Sequence, residues 1–216
     1  METAIRYAVY VHAFLGGIGL ITGIGSILVK KGGPIHQKLG KAFSFGIIGS
    51  SLISLPIAWM PGHRNLFLFL IGIFTIYLVV IGNRSLGFKR KAKATTGDYA
   101  VSSVMLLFSL FMLIFGIYGL FNSLVNSILY VIFGSFGLVL LRGDYKFYRE
   151  HGNGGNEWLL NHLSKMLAAL IASVTAFIVA GLNMGSLLAW ILPSVIGTVL
   201  IIYWRRKMKI PVGEKP

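Results

Sequence analysis

All but two of the twenty Lys and Arg residues fall in four short clusters between or after long apolar runs, and the clusters recur only at every second gap. The apolar runs cover residues 8–29, 42–60, 66–82, 101–121, 127–141, 166–182 and 187–204. Most approach the roughly 20 residues that cross about 30 Å of hydrocarbon. Lys30, Lys31, Lys38 and Lys41 occupy the first gap, basic residues from Arg84 to Lys93 the third, Arg142, Lys146, Arg149 and Lys165 the fifth, and residues 205–215 the tail. The second gap holds Arg64 alone, and the head only Arg6. The pattern predicts an all-α integral membrane bundle of seven transmembrane helices forming a single domain over 1–216. By the positive-inside rule the N-terminus is outside and the C-terminus cytoplasmic.

The net charge of +14 would suggest nucleic acid in a soluble chain. Here the charge sits in loops expected beside anionic lipid headgroups, so the lipid bilayer is the predicted partner and nucleic acid is not. There are no cysteines. Disulfides, thiolate metal sites and iron–sulfur clusters are thereby excluded, and any metal must use His, Asp, Glu or Met. The first run is read as a span rather than a signal peptide, because its basic cluster follows it. Every gap is short, which leaves no room for a soluble domain. The longest gap contains HGNGGNEW, a Gly/Asn turn, after which Asn156 or Gly155 caps a helix with Glu157 in its first turn.

Helical spacing then sorts the faces. In the first span His12, Gly16, Gly19, Gly23 and Ser26 form one narrow stripe, and small residues so spaced let two backbones approach in lipid. His36, Gly40, Ser44, Ser51 and Ser54 share a face in the second span, behind Pro34 in the first helical turn. His162, Met166, Ala169, Ser173, Ala176 and Ala180 do so in the sixth. His36 and His162 are expected at a common depth near the cytoplasmic face, and His12 far above them. One reading makes His36 and His162 axial ligands of a b-type haem or ligands of a transition metal, with Gly40 leaving room for a macrocycle. The other makes them interfacial hydrogen-bonding residues. For His12 the choice is between a structural hydrogen bond and a ligand or proton-relay role. His63 and His151 read as solvated loop residues.

Arg84, Asp144, Asn161 and Lys165 are expected near the level of that pair. An Arg84–Asp144 pair would fix helix register and form the base of a cytoplasmic cavity, whereas a lone Arg84 would be a snorkelling anchor. Trp59, Trp158, Trp190 and Trp204 suit an interfacial belt, and Pro56 and Pro193 should kink their spans. No Lys in the seventh span could hold retinal. No HExxH motif, phosphate loop or helically spaced pair of histidines supports a hydrolase.

The segments VHAFLGGIGLITGIGSILVKKGGPIHQKLGKAF, NLFLFLIGIFTIYLVVIGNRSL, NEWLLNHLSKMLAALIASVTAFIV and WILPSVIGT resemble an uncharacterised bacterial polytopic membrane-protein family described only as a domain of unknown function. The likeness covers nearly the whole chain. It falls on His12, Lys31, Gly32, Gly33, His36, Gly40, Tyr77, Arg84, His162, Met166 and Thr175, in a KGG-x-x-His loop and a His-x-x-x-Met span. It implies a multi-pass protein of the bacterial inner membrane, adds Tyr77 to the candidate polar site and supplies no activity.

The function expected from these residues is a histidine-based site at the cytoplasmic end of the bundle. It would bind haem b or a metal and serve membrane electron transfer with a quinone or another membrane redox partner. The alternatives are a small-solute or ion transporter with His12 as the proton-coupling group, and an accessory subunit of a membrane complex.

Overall fold

The computed structural model describes residues 2–90, 93–150 and 156–209. His151 and the turn expected at 151–155 lie outside the described residues. Among the described residues the regular structure is helical throughout: α1 (Glu2–Leu28), α2 (Pro34–Ile57), α3 (Leu66–Ser85), α4 (Thr96–Phe121), α5 (Ser127–Glu150), α6 (Glu157–Ala176) and α7 (Leu187–Lys209). A 3-10 turn, Leu86–Arg90, follows α3, and a π-helical turn, Phe177–Gly181, extends α6. All seven helices are long and apolar enough to cross a membrane.

The chain divides into two compact units, one comprising the residues through Val79 together with Met166–Ile201, the other Val80–Lys165 and the residues from Ile202 onward. In the first unit the small-residue stripe of α1 packs on α2. A Cβ on Gly16 would lie 3.1 Å from Ser50 Oγ, one on Gly19 would strike the Ile47 side chain, and one on Gly23 would lie 2.7 Å from Phe43 Cδ2. Partner numbers fall along α2 as they rise along α1, so the two helices are antiparallel. Gly46 makes the closest approach, since its Cβ would sit 2.8 Å from the Leu15 carbonyl oxygen and 2.9 Å from the Gly19 nitrogen. In lipid such backbone proximity replaces the hydrophobic driving force that joins helices in water.

The turn between these helices is built by its own residues. Gly32 adopts φ +76°, a left-handed conformation that glycine takes without a Cβ clash, and Pro34 opens α2 in the first turn. Lys31 Nζ reaches back to the carbonyls of Ser26 (3.2 Å) and Ile27, satisfying acceptors left open at the negative end of α1. Burial lowers the pKa of this ammonium below the ordinary lysine range.

In the second unit α4 and α5 are likewise antiparallel and joined by glycines. A Cβ on Gly116 would come within 2.7 Å of the Val131 nitrogen, and one on Gly134 within 2.8 Å of the Leu113 nitrogen. The α4 helix begins in a capping box in which Thr95 Oγ1 accepts from the Asp98 N–H at 3.4 Å and Asp98 Oδ2 accepts from the Thr95 N–H at 2.7 Å.

Several boundaries differ from the apolar runs. The fifth run stops at 141, but α5 continues to Glu150, and α6 begins at Glu157, ahead of the sixth apolar run and where the expected cap before Glu157 puts it. The expected basic loop is therefore largely two helix ends. Leu141, Asp144 and Tyr148 form the inner face of α5, while Arg142, Lys146 and Arg149 are exposed. A helix carries charge on its outer face without losing period, whereas a run of apolar residues ends at the first charge. Pro56 lies in the last turn of α2, which ends one residue later, so it accompanies termination instead of kinking a continuing span. Trp190, in the first turn of α7, is buried edge-on against Phe67, with centroids 4.9 Å apart.

Candidate functional site

Charged side chains inside apolar helices are costly, and in the second unit two pairs of them are buried or partly buried. Lys165, in the third turn of α6, places Nζ 2.9 Å from Asp144 Oδ2 on α5. The two side chains are 2% and 0% exposed, so the whole pair is withdrawn from solvent. Arg84, at the end of α3, places Nε 2.8 Å from Asp98 Oδ1 at the start of α4, where Asp98 is 3% exposed and Arg84 39%. The guanidinium also lies 5.9 Å from the centroid of the Phe88 ring.

These partners correct the expected Arg84–Asp144 pair. Arg84 takes the carboxylate that the capping box fixes in the first turn of α4, and Asp144 takes the ammonium from α6. Asp98 was not singled out by the sequence reading. Its signal was the Thr95-x-x-Asp98 spacing just before an apolar run, a helix-start pattern that also aims a carboxylate.

Between the pairs lie hydroxyl contacts. Tyr148 OH and Ser102 Oγ are 3.0 Å apart and buried, joining α5 to α4. Tyr145 and Ser103 repeat the contact at 3.1 Å on the exposed side of the same interface. Tyr148 stands in a cluster of rings with Tyr99 at 5.1 Å in edge contact and Phe88 stacked at 6.3 Å. Deeper in α4, Ser109 is fully buried and its hydroxyl has no hydrogen-bond partner among the described residues.

The histidines separate between the units. His36 is in the first unit, where its Nδ1–H donates to the Ser26 carbonyl at 3.0 Å. His162 is in the second, where Nδ1–H donates to the Gly82 carbonyl at 2.8 Å. Neither unit by itself contains both. His12 Nδ1–H donates to the Ser50 carbonyl (2.8 Å), and the Ser50 hydroxyl, 2.9 Å from the same nitrogen, donates back to the His12 carbonyl. In a neutral His12 or His36 ring the proton on Nδ1 leaves Nε2 as the basic nitrogen. A Cβ on Gly40, one turn beyond His36, would meet nothing within 4 Å, so helix packing does not demand glycine there. Tyr77 is buried in the first unit and packs edge-on to Phe74 at 6.3 Å. His63 is exposed in the turn before α3.

No group of three or more His, Asp or Glu side chains among the described residues is arranged to hold a metal ion. A multidentate metal cage does not fit this donor set; single-imidazole ligation of a haem iron requires only one Nε2. Of the sequence candidates, then, Asp144 and Lys165 meet directly, Arg84 finds a different acid, and each of the helix histidines is oriented by a backbone carbonyl. Compared with protein-family models, curated proteins and solved structures, the chain matches none.

Proposed function

We propose that this protein is a proton-coupled carrier of a small solute or ion, with the Lys165–Asp144 pair as its coupling centre. The dry pair carries this reading. Two opposite charges 2.9 Å apart and shielded from solvent are balanced only while both are ionised. Protonating Asp144, or bringing a cation to it, upsets the charge balance of the pair, and that imbalance links occupancy to conformation. A purely stabilising role explains less, because desolvating each ion costs several kcal/mol that a pair of apolar side chains would avoid. The proton-coupling role first considered for His12 passes to this pair, since His12 is engaged with Ser50 at both its ring and its carbonyl.

The alternating basic clusters support an N-out, C-in orientation in a bacterial inner membrane, with the basic segments against anionic lipid. The test is proton movement in proteoliposomes containing a trapped pH dye, driven by a potassium diffusion potential. Wild-type protein should move protons clearly faster than protein-free vesicles. A rate equal to that of empty vesicles rejects the carrier.

The second reading is haem b binding in electron transfer, and the histidine geometry favours it. A ligating imidazole almost always donates its other N–H to a carbonyl or carboxylate, as His36 and His162 do. Such a haem would supply one-electron chemistry, while the chain would orient the imidazoles and leave space beside Gly40. Protein purified from its native host should then show a Soret band that weakens in His36→Ala or His162→Ala. A colourless native preparation removes this reading.

A further inference from the structure

Asp144 and Tyr148 are one turn apart on α5, and Asp98 and Ser102 are one turn apart on α4, all four buried. Residues so spaced lie on one helix face, with Cβ atoms about 5–6 Å apart. The 3.0 Å contact of Tyr148 OH with Ser102 Oγ joins the two faces into one polar line between the Lys165–Asp144 and Arg84–Asp98 pairs. Exposure is graded along the line: Arg84 is 39% exposed, whereas Asp98 is at 3%, Ser102 at 0%, Tyr148 at 2% and Asp144 at 0%. One end reaches solvent and the other does not.

We infer that this line is the route by which Asp144 exchanges its proton with the aqueous phase, with Tyr148 and Ser102 as relays and the Arg84–Asp98 pair as its mouth. The inference rests on the carrier reading and specifies its proton leg. In the outward half-cycle the carboxyl proton of Asp144 passes to the Tyr148 oxygen as Tyr148 gives its own proton to Ser102. Ser102 gives its proton to Asp98. One proton has then left Asp144, which becomes a carboxylate beside Lys165, and Asp98 has gained one. Asp98 releases it to water beside Arg84, whose positive charge favours the return to carboxylate. Ser109, seven residues beyond Ser102 on the same face of α4, extends the buried polar line inward with its unpartnered hydroxyl.

The same interface contains its own control. Tyr145 and Ser103 make an equivalent contact on the exposed side. In the proteoliposome assay, Tyr148→Phe keeps the ring that packs on Tyr99 and Phe88 but removes the relaying oxygen. It should lower proton flux at least about tenfold, since positioned proton-transfer groups contribute factors of this size or more. Tyr145→Phe should leave flux unchanged. Wild-type flux in Tyr148→Phe, or equal losses in both variants, overturns the route while leaving the carrier standing. Absence of flux from wild-type protein overturns both.

Discussion

Lys165→Met should unfold in detergent at a markedly lower temperature than wild type, with a loss on the order of 3–5 kcal/mol. Removing one member of a buried ion pair takes from the other the charge that balances it. Here that other group is Asp144, whose side chain has no exposed surface. Adding Asp144→Leu should restore most of the stability, because an apolar pair of similar bulk has no desolvation cost to offset. It should not restore proton flux. This dissociation separates a coupling pair from a structural clamp: if the double variant transports protons as wild type does, the pair is not the coupling centre. A single variant that melts with wild type would show that the pair is neither dry nor energetically coupled.

Gly46→Ala is expected to weaken the α1–α2 contact by about 1–3 kcal/mol, the usual cost of overpacking a close-fitting site. The new methyl would press on the Leu15 carbonyl oxygen and the Gly19 nitrogen, which are backbone atoms and cannot rotate away. Gly19→Leu should cost more, since it must displace Ile47. Gly40→Ala supplies the comparison on the same helix. Its methyl meets nothing within 4 Å, so only the intrinsic helical preference for alanine remains, worth up to about 1 kcal/mol in favour of the variant. Equal melting temperatures for Gly46→Ala and Gly40→Ala in detergent would refute the close approach.

The spans and the glycine contact could be read from the sequence because each depends on local pattern. Apolar length selects the helices, and small residues at helical spacing mark the face where α1 meets α2. The charged pairs were less accessible. Asp144 and Lys165 were both legible as polar groups near helix ends, Lys165 on the helix that opens at Glu157, but their pairing was not. Only the inward period of Leu141, Asp144 and Tyr148 shows that α5 continues through the charges. Arg84 was correctly placed at a helix end but paired with the wrong acid, because nothing in the spacing of residues on separate helices says which will be brought alongside. The capping box that decides it is a local feature of residues 95–98, and its carboxylate serves both the helix and the arginine. Among the histidines, helical phase indicated that His12 faces protein. It could not show that a carbonyl claims Nδ1 in each of the three.

The hairpin of α1 and α2 is tied at both ends by residues it contains. His12 and Ser50 interlock at one end, and Lys31 and His36 hold the terminal carbonyls of α1 at the other. The bonds reach no farther than 38 positions along the chain. During biosynthesis this pair can therefore close as soon as its second helix leaves the ribosome, before α3 has fully emerged, with little loop entropy to overcome. A finished hairpin already carries its own tether at the KGG-x-x-His turn, and later helices then assemble against a partner whose shape is set.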